Sequence, residues 1–281
     1  MSRLLVYVLA ALAAALLVAG SGSAAIFPTR IVSLSPTATE TLFAIGAGKQ
    51  VVAVDDQSDY PKQAPRTKLS GFTPNAEAII GYHPDLVVIS YDPNGLARAL
   101  ATARIRVVVQ PPATSFAGAY AQIRQLGRLT GHAAAAARLV GRMKQRIAAL
   151  VAAAPRRPLS VYHEISPDFY SATSRSIIGA VYRLFGLRNI ADAAGGSALG
   201  GVQLSSESII AANPDLIVLT DIRCCGQTKA TVSSRPGWRG ITAVRRGTIA
   251  LIDDSLASRW GPRLVDFVRA VASALRTASR G

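Results

Sequence analysis

Apolar residues fall along the chain in short continuous runs, separated by longer stretches in which they recur at helical spacing. Short buried runs bounded by turn residues predict strands of a parallel sheet, and the stretches between them predict crossover helices. In the first half the runs are Ile31–Leu34, Val51–Val54, Leu86–Ile89 and Arg106–Val109. Helices are predicted over 37–45, with Thr37 and Glu40 spaced as a capping box and Gly46 at the end, and from a cap at Asn75 to about Tyr82. Two more are predicted over 96–103 and 116–129. The second half restarts the pattern, with strands over 159–163, 216–220 and 248–252. Its helices are expected over 175–185, after a Ser205 or Ser206 cap, and over 262–275. Between the halves, residues 132–154 are Ala-rich and Pro-free, and Pro155 and Pro158 close the segment. That composition predicts one helix roughly 33 Å long at about 1.5 Å per residue.

One stretch occurs twice. Residues 77–89 read E-A-I-I-G-Y-H-P-D-L-V-V-I, residues 207–219 read E-S-I-I-A-A-N-P-D-L-I-V-L, and seven of thirteen positions are identical at an offset of 130. Solenoid and propeller periods run from about 20 to 50 residues, so this offset predicts a duplicated lobe instead. The expected fold is α/β: two Rossmann-like lobes with parallel sheets, joined by one long α-helix, with a ligand cleft between the lobes. The expected division is a signal peptide over 1–25, a first lobe over 26–131, a connecting helix over 132–155 and a second lobe over 156–281.

Arg3, an apolar run from Leu4 to Ala19 and the small residues Ser23-Ala24-Ala25 make residues 1–25 a secretory signal, with cleavage expected after Ala25. The run is shorter than the roughly 20 residues that span a bilayer. No Cys lies near the cleavage site, so no lipid anchor is expected, which favours free diffusion in a periplasm. Formal net charge is +15, carried mostly by Arg. The charges are scattered with no basic run, which argues against nucleic-acid binding.

Catalytic signatures are sparse. Gly46-Ala47-Gly48-Lys49 lacks the upstream glycine of a phosphate loop, and His83, His132 and His163 have no close His partner, so neither a catalytic set nor a metal cage is expected. His83 matches Asn213 in the repeat and reads as a turn residue. His163 and Glu164 end the first strand of the second lobe, where open α/β sheets place ligands, and are candidate contacts. Tyr60, Phe72, Tyr91, Tyr170, Trp238 and Trp260 fall near expected cleft loops; Tyr60 and Trp260 lie in the most polar surroundings, and Arg259 and Arg263 flank Trp260. Glu77 and Glu207 occupy the first turns of equivalent helices. They either complement helix dipoles or form a two-point contact with arginines on a partner. Cys224 and Cys225 are adjacent and follow a strand end. A vicinal bridge, two free thiols and bridges between chains are all open to them.

R-I-V-S-L-S-P-T-A-T-E-T over 30–41, S-D-Y-P over 58–61, both E-x-I-I-x-x-x-P-D-L copies and G-P-R over 261–263 together cover nearly the whole chain after residue 29. In these marks the chain resembles the periplasmic binding proteins for iron complexes and vitamin B12, the helical-backbone class of ABC-importer receptors. The resemblance implies a non-enzymatic, monomeric receptor without a cofactor, which binds a metal chelate and passes it to a permease dimer. It also implies that Glu77 and Glu207 are the two docking acids. Corrinoid is the first expected ligand, ferric siderophore the second and haem the third. Tyr60, Phe72, Tyr91, His163, Glu164, Arg223, Arg259 and Trp260 are the expected ligand contacts. Two departures stand out. Gly201 lies where B12 receptors commonly carry a ligand-facing Trp, six residues before the second docking acid, and the Cys pair is not a general family feature. The alternative reading is a chelatase-like enzyme on the same two-lobe architecture, since fold does not settle function.

Overall fold

The computed structural model describes residues 27–279; the expected signal segment 1–25 lies outside them. The first sheet comprises β1 (Ile31–Leu34), β2 (Val51–Val54), β3 (Leu86–Ile89) and β4 (Arg106–Val109), all parallel, in the order β2-β1-β3-β4. Its helices are α1 (Pro36–Ala44), α2 (Ala76–Ile80), α3 (Leu96–Thr102) and α4 (Phe116–Leu129). Side chains alternate along the strands. Ile31, Leu86 and Val88 enter one apolar layer, and Val32, Leu34, Val87 and Ile89 enter the other, as a side-chain period of two requires.

The long helix α5 (Ala133–Ala152) buries Ala136, Leu139, Val140, Met143 and Ile147 along one face. Beyond it, β5 (Ser160–Glu164) opens a second sheet. β6 (Tyr170–Ala172) pairs antiparallel with β8 (Gly201–Gln203), with β7 (Arg188–Asn189) between them in the chain. β9 (Leu216–Leu219) and β10 (Ile249–Leu251) complete the second sheet in the order β10-β9-β5-β7. The helices of this half are α6 (Ile177–Leu184), α7 (Ser206–Ala212), α8 (Ile222–Cys225), α9 (Lys229–Ser233), α10 (Thr242–Arg245), α11 (Asp254–Ala257) and α12 (Leu264–Ala278). Helix α5 packs on both α4 and α12. One apolar cluster therefore runs from Ile31 and Leu42 through Met143 to Phe267 and Leu275.

Counted within each half, the two sheets have one topology: first strand beside second and third, fourth outside third. The repeated motif explains part of this. His83 and Asn213 both take left-handed φ, 48° and 44°, so each copy of the repeat makes the same reversal immediately before its Pro-Asp pair. The repeated Asp then reaches back to the start of its lobe's first strand. Asp85 Oδ2 accepts from Thr29 N (2.7 Å) and Arg30 N (3.2 Å). Asp215 Oδ2 accepts from Ser160 N (2.8 Å) and Ser160 Oγ (2.7 Å).

Helix caps follow expectation at Asn75 and Ser205, each accepting from the backbone three residues on. At α1 they do not. Ser35 is the cap, accepting from Ala38 N, and Pro36 takes the first helical position. Thr37 and Glu40 form no capping box there, because Glu40 is drawn to two arginines of the other half.

Candidate functional site

The carboxyl ends of β1, β2 and β3 carry Ser35, Asp55 and Ser90 into one wall of a cavity of about 440 Å³. Pro36, Gln57, Gly71, Phe72, Tyr91 and Pro112 extend that wall, and Leu199, Asp254, Ser255, Ser258, Arg259 and Trp260 close it from the second lobe. Other concavities of similar volume, about 480, 490 and 430 Å³, are lined by the second half, by the end of α5 with the second half, or by α4 and α5 with Leu184, all away from the strand ends of the first sheet. The first cavity touches both lobes and lies at a strand-end edge, where α/β folds place ligands. Its wall is mostly apolar, with Phe72 (69% exposed) and Tyr91 (41% exposed) the open aromatics. The Tyr91 hydroxyl donates to Phe72 O at 2.5 Å, which ties the two loops together. Trp260 is largely buried, and its Nε1–H donates to Gln122 Oε1 at 2.7 Å.

An ion cluster joins the lobes beside this cavity. Glu40 Oε1 accepts from Arg259 Nη1 (3.1 Å) and from Arg263 Nε and Nη2 (3.0 and 2.6 Å). Arg259 also donates to Asp59 Oδ1 (2.7 Å) and Gln57 O (2.8 Å). Partial burial is the largest single influence and would raise the Asp59 carboxyl, but the hydrogen bond and charge of Arg259, together with the charge of Arg263, outweigh it and hold Asp59 below the ordinary range. The Arg263 guanidinium lies 4.4 Å from the centre of the Tyr60 ring, a cation–π contact. Tyr60 therefore turns away from the main cavity and lines a separate one of about 360 Å³ with Phe43, Arg142 and Met143.

Of the eight expected contacts, Phe72, Tyr91, Arg259 and Trp260 line the cleft. Arg223 is outside that lining; it is exposed, donates to Asp253 Oδ2 at 3.2 Å and lies 3.9 Å from Asp59 across the lobes. His163 and Glu164 are corrected by the structure, since both are fully buried and neither reaches the cavity. The His163 ring is bonded to the Tyr182 hydroxyl (2.6 Å) and to Thr220 Oγ1 (3.3 Å), and burial pushes its pKa down to about 3. Glu164 takes a bidentate hydrogen bond from Arg235, 2.6 and 2.7 Å, and one from the Tyr162 hydroxyl at 3.0 Å. Arg235 lies over the Trp238 ring at 4.6 Å, and Trp238 is itself core rather than cleft.

Beside that pair, Asp221 is fully buried, and neither of its carboxylate oxygens has a hydrogen-bond partner among the described residues. Burial, aided by the Glu164 charge, pushes its pKa up to about 7 from 3.8. The folded chain thus holds a proton there that the unfolded chain has already released above pH 3.8. The contribution of Asp221 to stability therefore falls as pH rises through the window from the unfolded value to the folded one, opposite in sign to that of His163. Asp221→Asn is expected to flatten this slope. Unfolding free energies from urea titration at about pH 5 and pH 8 should converge in the variant relative to the parent, by a difference on the order of a few kcal/mol. Equal slopes would show that Asp221 stays charged.

Cys224 and Cys225 are bonded to each other in α8, just past the end of β9, and among the described residues no cysteine is free. Glu77 and Glu207 are exposed in the first turns of α2 and α7. Burial matches position for position over 74–80 and 204–210. Neither carboxylate makes an ion pair or side-chain hydrogen bond among the described residues. Sequence reasoning missed Glu40, Asp55 and Asp221 as parts of this region. No motif announces Asp55 or Asp221; Glu40 lies inside the 30–41 mark, where its signal was absorbed by the capping-box spacing.

A family profile described as "Periplasmic binding protein" matches residues 31–256. A curated relative from Bacillus subtilis, an uncharacterized ABC transporter substrate-binding lipoprotein YvrC, is 32% identical over 260 residues, covering 88% of this chain and 80% of its own. A "Cobalamin-binding protein" of Halobacterium salinarum is 33% identical over 258 residues, covering 88% of this chain and 69% of its own. Among solved structures, the periplasmic heme-binding protein RhuT from Roseiflexus sp. RS-1 aligns at a TM-score of 0.77 with 26% identity, covering 89% of this chain and 99% of that one. Among the described residues no helix is long and apolar enough to cross a membrane.

Proposed function

The chain belongs to the periplasmic binding proteins, the substrate-capturing components of ABC importers, and on that premise we propose that it captures a corrinoid between its lobes and delivers it to a membrane permease. The charge of the cleft carries the choice of ligand. Its one lining cation among the described residues, Arg259, is already engaged by Glu40, Asp59 and the Gln57 carbonyl. Asp55 and Asp254 line the same cavity. A wall with apolar and aromatic surface, acids and no uncommitted cation suits a chelate whose periphery is neutral and rich in amides. It suits less well the carboxylates of haem or the polyanionic catecholate chelates of iron. The positive net charge of the chain does not alter this, because the arginines at the cleft are neutralised locally. The cobalamin-binding relative supports the same choice.

In this reading Phe72, Tyr91 and Trp260 give the chelate its apolar contacts. Residues 1–25 direct export, and 26–131 and 156–281 act as two lobes on the 132–155 helix. Glu77 and Glu207 dock one lobe each against arginines of the permease dimer. Calorimetric titration of the mature chain tests the ligand. Cyanocobalamin is expected to bind one to one with Kd at or below about 1 μM, and hemin and ferric enterobactin at least tenfold more weakly by the same scale of about 1.4 kcal/mol per decade. Tight hemin binding with no heat from cyanocobalamin would overturn the assignment.

A further inference from the structure

We propose that Asp55 is a specificity-determining contact of the cleft, its carboxylate accepting a hydrogen bond from an amide-type N–H on the bound chelate. The proposal deepens the corrinoid reading and rests on it.

Asp55 follows β2 at the carboxyl edge of the first sheet and forms part of the cavity wall, yet it is only 1% exposed. Its Oδ1 has no hydrogen-bond partner among the described residues. Ser58 acts on the carboxyl as well, and the hydroxyls of the neighbouring segments pair among themselves. Thr39 Oγ1 donates to Ser33 Oγ and shares a second bond with Ser58 Oγ, both at 2.9 Å. Ser35 Oγ accepts from Ser90 Oγ (2.8 Å) and from Ala38 N (3.3 Å). Burial pushes the Asp55 carboxyl up to about 6, against hydrogen bonding from Ser58. Near neutral pH it therefore remains ionised, an acceptor with no proton to give.

A buried polar atom left without a partner is costly, and a charged one more so. Such a group in a ligand cavity is accounted for when the ligand brings the donor. Gly71 shapes the same spot. A Cβ at that position would lie 2.6 Å from Asp55 Oδ2 and 3.0 Å from Leu34 O, so only glycine lets its loop close over the carboxylate. An amide N–H satisfies the acid, and a ligand carboxylate would repel it. Asp55 thereby discriminates by the sign of what it meets, which the apolar walls cannot do.

The test titrates the parent, Asp55→Ala, Asp55→Asn and Gly71→Ala with cyanocobalamin near neutral pH and records the thermal midpoint of each. A hydrogen bond to a charged group corresponds to about 10- to 100-fold in affinity, and Asp55→Ala should lose that much. Gly71→Ala keeps the acid but crowds it, and should weaken binding as well. Asp55→Asn should raise the thermal midpoint, because a buried charge is removed, while affinity falls; a purely structural residue would move both together. Unchanged affinity in all three variants overturns the role of Asp55 and leaves the corrinoid reading standing. If the parent does not bind cyanocobalamin, that reading falls, and the same variants are titrated with ferrichrome, a neutral iron chelate bearing peptide N–H groups. Loss on Asp55→Ala there sustains the proposal. Absence of binding to both probes, or a gain of binding on Asp55→Ala, ends it.

Discussion

Replacing Glu77 and Glu207 together with Ala is expected to cut uptake by at least about tenfold while leaving the affinity for cyanocobalamin unchanged. The two carboxylates are exposed, 130 residues apart in the chain, and carried by helices whose N-caps each accept from the backbone three residues on and whose first turns share one burial pattern. A helix-dipole role alone would make each worth about 0.3–1 kcal/mol of stability and nothing in transport. A docking role makes each one end of a charge-assisted pair with a guanidinium, and two such pairs fix orientation as well as attraction. Single variants should fall between parent and double variant. The measurement is uptake into vesicles carrying the cognate permease, paired with calorimetry of the free receptor. Intact uptake, or a loss of affinity in solution, would show that these acids do not serve as docking points.

Glu40→Ala is expected to destabilise the fold by about 3–5 kcal/mol. Glu40 is 2% exposed and accepts from two arginines of the other lobe. Its removal leaves Arg263 with the Tyr60 ring as its main partner and Arg259 with Asp59 and Gln57. Whatever the cluster contributes net, taking one partner away strands buried positive charge, which is the costly operation. The urea midpoint should drop with little change in slope. A shift below about 1 kcal/mol would mean that water enters and solvates the arginines.

The architecture was legible because its signals are local. β1 through β4 have the bounds that their apolar runs predict, and the duplicated Pro-Asp turn marks the same reversal in both lobes. The pieces left unread are short or polar. The two-residue β7 and the β6–β8 pair carry no periodicity long enough to detect, and α8, α10 and α11 are each a single turn. The site was legible only in part, for a different reason. Thr37-x-x-Glu40 fits a capping box, yet the partners that win Glu40 lie 219 and 223 residues further on. His163 and Glu164 end a central strand, as ligand contacts do. What decides their role is the later segment carrying Arg235, 71 residues beyond Glu164, together with Tyr182, which close over them. Strand-end position says where a side chain starts; only the packing of distant loops says whether it stays open.

The paired cysteines make the native chain a clean background for site-specific chemistry. The sequence contains two cysteines, and they are bonded to each other. Oxidised protein therefore presents a maleimide dye with no competing native sulfur. Leu199 is exposed at the lip of the cleft. A Leu199→Cys chain would carry one reactive handle there, and a fluorophore on it would report occupancy of the cleft in real time without the usual step of stripping natural cysteines first.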